Sequence, residues 1–219
     1  MKIDSLFLDL DGTLLDTAPD LFLAIKVVLE KYHFPSISYD NFRPSVEAGT
    51  RGMIKHAFNI TEQHSDYHAI IKDFLNYYQA HIAEKTVFFP GMDDFLTILD
   101  ERRIVWGIVT NKPEFLARPL LQHFKLENRC KAMVCGDTLP TRKPDPAPLR
   151  YACELVQADP KNSVYIGDTQ SDMVAAKAAD MFAIAVSFGY NLNQSSPSTW
   201  SADFIANSAR DLQNWLELR

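Results

Sequence analysis

The stretch that decides the fold is Ser5-Leu6-Phe7-Leu8-Asp9-Leu10-Asp11-Gly12-Thr13. Its first part is a short apolar run, which reads as a buried strand. The run stops at two carboxylates and a glycine, so a strand meets a turn there. Asp9 and Asp11 are two apart, and strand alternation would set both on one face. Gly12 permits a tight turn and is expected to leave its N–H open to an anion.

Working outward, four more runs of the same kind follow: Ile104 to Thr110, Ala132 to Cys135, Val164 to Gly167 and Phe182 to Val186. Phe204-Ile205 adds a last short one. Between them, Phe115 to Phe124, Pro146 to Val156 and Met173 to Ala179 carry apolar residues at helical spacing. Strands alternating with helices predict a parallel α/β sheet covered on both faces.

The alternation breaks once. From Asp16 to about Lys85 there is no convincing strand, and Leu21 to Tyr32, Gly52 to Phe58 and Tyr67 to Ala83 look helical. The expected organisation is a core of residues 1–15 and 86–219, with residues 16–85 as an all-α insertion. Such an insertion follows the carboxyl end of the first strand, where open α/β sheets bind ligands. Asn191 to Ser201 is expected to be a surface loop.

The strand ends carry the polar residues. Besides Asp9 and Asp11 these are Thr110 with Asn111, Lys143 after the third run, and Asp168 with Asp172 after the fourth. In a parallel sheet those ends share one edge. Asp168 and Asp172 fit either a capped helix start or a pair aimed at one point. Four converging carboxylates repel one another and call for a cation, and oxygen-only ligation suits Mg²⁺. Lys143 precedes Pro144-Asp145-Pro146, which fix its backbone at the mouth of a helix.

Composition narrows the function classes. The chain has 219 residues, 47% of them hydrophobic, and a net charge of −6. That disfavours nonspecific binding to nucleic acid, which needs a basic surface. No run is long and apolar enough to span a bilayer, and the start is no signal peptide. Cys130, Cys135 and Cys153 read as free thiols of a reducing compartment, so the cytoplasm is the expected location. His64 and His68 have metal spacing without a third ligand and read as a solvated helix face. The sequence has neither a Gly-x-Gly-x-x-Gly nor a Walker lysine motif.

These residues resemble the haloacid dehalogenase superfamily in its phosphatase branch, over nearly the whole chain. Asp9-Leu10-Asp11-Gly12-Thr13-Leu14 is similar to its first motif, Ile108-Val109-Thr110-Asn111 to the second, Lys143-Pro144 to the third, and Gly167-Asp168 with Asp172 to the fourth. The resemblance implies a Rossmann-like core with strand order 5-4-1-2-3, counting the five main runs. It implies that Asp9 is the nucleophile and a metal ligand. Asp11 would be the acid/base and would offer its backbone carbonyl to Mg²⁺. Thr110 and Lys143 would bind phosphoryl oxygens. Asp168 would ligate the metal, and Asp172 would ligate it or orient its waters. Gly12, Thr13 and Asn111 are further expected substrate contacts.

The insertion is similar to the mobile cap of phosphoglycolate phosphatases, with Asp16-Thr17-Ala18-Pro19-Asp20 supporting the likeness. Its loop Val46-Glu47-Ala48-Gly49-Thr50-Arg51-Gly52 looks closer to phosphatases of N-acetylmuramic acid 6-phosphate. Arg51 is therefore the expected contact to a substrate carboxylate. The expected partner is a small phosphorylated metabolite, with neither nucleic acid nor membrane, and the sequence leaves the oligomeric state open. A phosphosugar mutase, a phospho-accepting receiver-like module and a non-catalytic binding module are the alternatives that sequence leaves open.

Overall fold

The computed structural model describes residues 3–190 and 196–219. The chain divides into two compact units, one of residues 1–16 and 88–219 and one of residues 17–87.

The first unit is built on β1 (Ser5–Leu8), with β2 (Leu15–Asp16) closing the turn after it. The second unit holds α1 (Ala18–Lys31), α2 (Tyr39–Phe42), α3 (Gly49–Phe58) and α4 (Tyr67–Ala80). The chain then returns through β3 (Val87–Phe88) to α5 (Met92–Glu101), β4 (Val105–Val109), α6 (Glu114–His123) and β5 (Met133–Val134). It continues through α7 (Ala147–Val156), β6 (Ser163–Gly167), α8 (Gln170–Ala178), β7 (Phe182–Val186), β8 (Phe204–Ala206) and α9 (Ala209–Glu217).

Six strands form one parallel sheet in the order β5-β4-β1-β6-β7-β8. The five main expected strands keep their expected relative order, and β8 extends the sheet beyond β7. Every residue of β1 and β6 is buried, which is why these strands read as unbroken apolar runs. Phe7, Tyr165 and Ala183 share one face with the buried sides of α7 and α8. Ala175 and Ala176 let α8 lie close to that face. On the other face α5 packs on β4 and α9 packs on α5 and β8.

The alternation read from the sequence omits α5 and α9. Both are short helices whose apolar residues, such as Phe95, Leu96 and Leu99 or Leu212, Trp215 and Leu216, are buried. Of the expected loop, Asn191–Ser195 lies outside the described residues, and Pro197–Thr199 is a single 3₁₀ turn. No described helix is long and apolar enough to cross a membrane.

Apart from Val87, which opens β3, the regular elements of the second unit are helical. Leu21, Ile25, Ile54, Phe58, Ile70 and Phe74 form the buried sides of α1, α3 and α4. Its two ends are tied by Asp20, which is 3% exposed. One carboxylate oxygen accepts the Lys85 N–H at 2.8 Å; the other accepts the Thr86 N–H at 2.9 Å and the Thr86 hydroxyl at 2.6 Å.

One expectation about this unit is corrected. The segment Val46–Gly52 is not an open loop. A 3₁₀ turn over Arg43–Ala48 runs into α3, which begins at Gly49. Arg51 thus sits in the first turn of a helix. Gly49 has φ +66° and supplies the change of direction, whereas a Cβ on Gly52 would lie 2.2 Å from the Ala48 Cβ. Gly52 is there for tight helix packing, not for loop mobility.

Candidate active site

Register brings the site together. Leu8 is opposite Ile108 on one side and Ile166 on the other. Asp9 is one step past Leu8, Thr110 two past Ile108 and Asp168 two past Ile166, so all three leave the same sheet edge.

Asp9, Asp168 and Asp172 each place a carboxylate oxygen within 4.8 Å of the others'. They are buried to different degrees: Asp9 is 8% exposed, Asp168 1% and Asp172 0%. Lys143, itself 4% exposed, enters the cluster as a cation. Its Nζ lies 3.1 Å from Asp9 Oδ1 and 2.7 Å from Asp172 Oδ1. It also donates to the Val109 carbonyl at 3.0 Å and the Tyr165 hydroxyl at 2.6 Å. An ammonium has three protons, and four acceptors surround this one.

The electrostatics follow from burial. Desolvation is the largest influence on Asp9, with Asp172 and Asp11 adding repulsion. Against these, Lys143 and the Leu10 N–H favour the charge, and the net result holds the carboxyl at about 6. Burial, then Asp172 and Asp9, push Asp168 well above the carboxylate range, although the Tyr190 N–H and the Thr13 hydroxyl favour its ionised form. Burial disfavours the Lys143 charge, but Asp172 and Asp9 outweigh it and raise its pKa. With all three carboxylates ionised against one lysine, the buried cluster would carry two negative charges, and burial and mutual repulsion instead favour protons on Asp168 and Asp9. A divalent cation with oxygen ligands matches that excess in charge and donor type.

Asp172 satisfies both readings of its position. With Thr169 it forms a reciprocal capping box at the start of α8, and it also belongs to the carboxylate cluster. Thr110 is 4% exposed, and its hydroxyl oxygen accepts the Lys112 N–H at 3.2 Å, which leaves the hydroxyl proton to donate.

Five more residues expected at the site have the following placements. The Asp11 carboxylate is not part of the cluster; its oxygens lie 3.0 and 3.2 Å from Lys112 Nζ. The Gly12 N–H is not open, because it donates to the Leu15 carbonyl at 3.1 Å. Gly12 is needed for another reason: its φ is +84°, and a Cβ there would lie 2.2 Å from Asp168 Oδ2. The Thr13 hydroxyl donates to Asp168 Oδ1 at 3.1 Å, and Thr13 is fully buried. The Asn111 amide donates to the Lys143 carbonyl at 3.0 Å, so it braces the lysine segment. Arg51, in the other unit, is an exposed side chain paired with Glu62 at 2.9 Å.

Two residues of the site were absent from the sequence reading. Tyr165 lies mid-strand and looks like core, yet its hydroxyl accepts from Lys143 and donates to the Val109 carbonyl at 2.8 Å. Lys112 follows Thr110-Asn111 directly. Its place directly after that polar strand end was the one signal available for it. The cysteines behave as inert thiols: burial raises Cys130 to about 11 and Cys135 to about 12. Among the described residues, the three aspartates are the sole group of three or more acidic, histidine or cysteine side chains with metal-binding spacing.

Several known proteins are similar to this chain. A phosphoglycolate phosphatase of Xanthomonas campestris is 38% identical over 197 residues, covering 90% of this chain and 89% of that protein. An N-acetylmuramic acid 6-phosphate phosphatase of Pseudomonas aeruginosa is 34% identical over 218 residues, covering 99% and 96%. A crystal structure from Haemophilus somnus, described as a predicted phosphoglycolate phosphatase, superimposes with a TM-score of 0.89 at 26% identity, covering 99% of each chain. The sequence pattern of the haloacid dehalogenase-like hydrolases matches residues 6–186, the span that holds β1, the acidic strand ends and Lys143. The chain belongs to the haloacid dehalogenase-like hydrolase family.

Proposed function

We propose that this protein hydrolyses a small phosphate monoester in two steps, with Asp9 as the nucleophile. The observation that carries the reading is the graded burial of the three clustered carboxylates. Asp168 and Asp172 are sealed, while the Asp9 carboxylate, with 12% of its side chain exposed, is the one a substrate can reach.

In the first step an Asp9 oxygen attacks phosphorus, and the bond to the leaving oxygen breaks. Asp11 supplies a proton to that oxygen. In the second step water attacks the phosphorus of the acyl phosphate, and Asp11 takes a proton from it. The bond between the Asp9 oxygen and phosphorus breaks, which frees the Asp9 carboxylate and releases inorganic phosphate. Lys143 and the Thr110 hydroxyl hold the phosphoryl oxygens and offset their charge. Asp9, Asp168 and Asp172, with the Asp11 backbone carbonyl, would hold Mg²⁺. Bound there, the ion would supply Lewis-acid charge neutralisation.

For the substrate we favour a small carboxylated ester such as 2-phosphoglycolate, with N-acetylmuramic acid 6-phosphate second. Relatives bearing both names match most of the chain at similar identity, which supports this pair over other esters. Residues 17–87, a unit of its own, would act as the cap.

The test is phosphate release across a panel of phosphorylated metabolites, with and without chelator, for the wild type and Asp9→Asn. Turnover that needs Mg²⁺ and disappears in Asp9→Asn is expected. Substantial turnover by a verified Asp9→Asn sample would refute the mechanism. Isomerisation of a hexose phosphate faster than phosphate release would favour a mutase.

A further inference from the structure

Asp11 is where the sequence reading and the structure part most clearly. It was expected to converge with the other acids, and it faces a lysine instead. The geometry around that lysine is built, not casual. The Lys112 side chain is only 5% exposed, against 21% for Asp11. Its backbone is pinned on two sides: the N–H donates to the Thr110 hydroxyl oxygen, and the carbonyl accepts the Gly136 N–H at 2.9 Å. The preceding carbonyl, that of Asn111, would be 2.1 Å from a Cβ on Gly136, so only glycine allows this approach. The backbone thus fixes where the side chain starts, and its burial together with the Asp11 contact restricts where its ammonium lies.

The arrangement also addresses a chemical conflict. Asp11 is two residues from Asp9 and close enough to repel its charge. Left to itself, a fourth carboxylate beside three others would be drawn into any cation they hold. A carboxylate so engaged cannot carry protons to and from a leaving group. Exposed ion pairs contribute little, but removing one member of a desolvated pair leaves the other charge without compensation.

We infer that Lys112 is a positioning residue. It holds the Asp11 side chain apart from the Asp9–Asp168–Asp172 cluster so that Asp11 remains available for proton transfer. The inference rests on the proposed role of Asp11 as the acid.

The experiment uses Lys112→Met, which keeps the stem and removes the charge, together with Lys112→Gln, Lys112→Arg, Asp11→Asn and the Lys112→Met/Asp11→Asn double variant. Each is checked for folding by circular dichroism. Single-turnover phosphorylation of the enzyme is then measured with Mg²⁺ on an alkyl phosphate and on nitrophenyl phosphate. The alkoxide needs the proton and the nitrophenolate hardly does, so the two esters separate proton supply from everything else. Lys112→Met is expected to slow the alkyl ester by about 10–100-fold and nitrophenyl phosphate by no more than about 3-fold, with the loss in the rate and not in KM. In the Asp11→Asn background it should cost no more than about 2-fold further, because residues that act as one unit are not additive. Lys112→Arg should recover most of the alkyl rate.

Equal losses on both esters, or full additivity with Asp11→Asn, would overturn the inference. Lys112→Gln gives the same readout should Lys112→Met not fold. If Asp11→Asn slows the alkyl ester selectively and neither uncharged variant does, the positioning role alone fails. If Asp11→Asn spares the alkyl ester, the acid role of Asp11 fails and takes the inference with it.

Discussion

Replacing the proposed nucleophile should make the metal-free protein more stable, and the size of the gain can be worked out. The Asp9 carboxyl is held at about 6, up from its ordinary 3.8. The folded protein therefore holds this proton more tightly than the unfolded chain does. Between those two values folding takes up a proton, so stability rises as pH falls through about 6 and the gain is complete below about 4. Above about 6 the ionised group opposes folding. A shift of roughly two units corresponds to about 3 kcal/mol at neutral pH.

Asp9→Asn removes the charge and nearly keeps the shape. In chelator at pH 7.5 it should gain about 2–3 kcal/mol, or roughly 4–12 °C in Tm for a protein of this size. Trp106, Trp200 and Trp215 all lie in the unit that holds the site, so tryptophan fluorescence reports the relevant unfolding. Repeating the melts at pH 4.5 should shrink the gap to about 1 kcal/mol or less, because the wild-type Asp9 is then protonated. Excess Mg²⁺ should shift the order back toward the wild type, whose ionised carboxylate is a better ligand. A variant less stable than the wild type at pH 7.5 in chelator would refute the reasoning. So would a gap that does not close at pH 4.5. The same substitution is expected to abolish turnover, which would make Asp9 a residue kept for chemistry at the expense of stability.

Other substitutions follow from the packing. Gly12→Ala puts a Cβ 2.2 Å from Asp168 Oδ2 and should reduce Mg²⁺-dependent turnover by about 100-fold or more by displacing a ligand. Gly49→Ala is its control: φ is also positive there but nothing lies within 4 Å, so it should cost only about 1–2 kcal/mol of backbone strain in thermal melts. Asp20→Ala leaves two N–H groups and a hydroxyl near residues 85–86 without their acceptor and should destabilise residues 17–87 by about 3–5 kcal/mol, read as lost amide-exchange protection. Arg51→Ala gives up only an exposed pair with Glu62, so stability should hardly change, while kcat/KM for 2-phosphoglycolate should fall relative to nitrophenyl phosphate if the guanidinium grips a carboxylate.

What the sequence made legible divides along physical lines. Parallel strands buried on both faces must be apolar throughout, so β1, β4, β6 and β7 stand out as runs, and polar residues at their ends stand out against them. Asp9, Thr110 and Asp168 were readable for that reason. Helices α5 and α9 were not singled out, although α6, α7 and α8, equally short, were, so length is not what hid them. Partners were harder still. Asp20 meets Lys85 and Thr86 across 65 and 66 residues, and Lys112 meets Asp11 across 101, distances over which no local rule operates.

Glycines show the same limit in sharper form. Gly12 was readable as a turn residue but not as the gap that admits Asp168, since the collision that forbids a side chain comes from 156 positions away. Asp172 shows how a local reading can be correct and incomplete. It caps α8 as any aspartate at that position could, and the same carboxylate faces Lys143 because Thr169 holds its other oxygen. The cap fixes the rotamer and the rotamer aims the charge. A helix start thereby becomes part of the cluster, and substituting Asp172 would disturb the start of α8 and the site together.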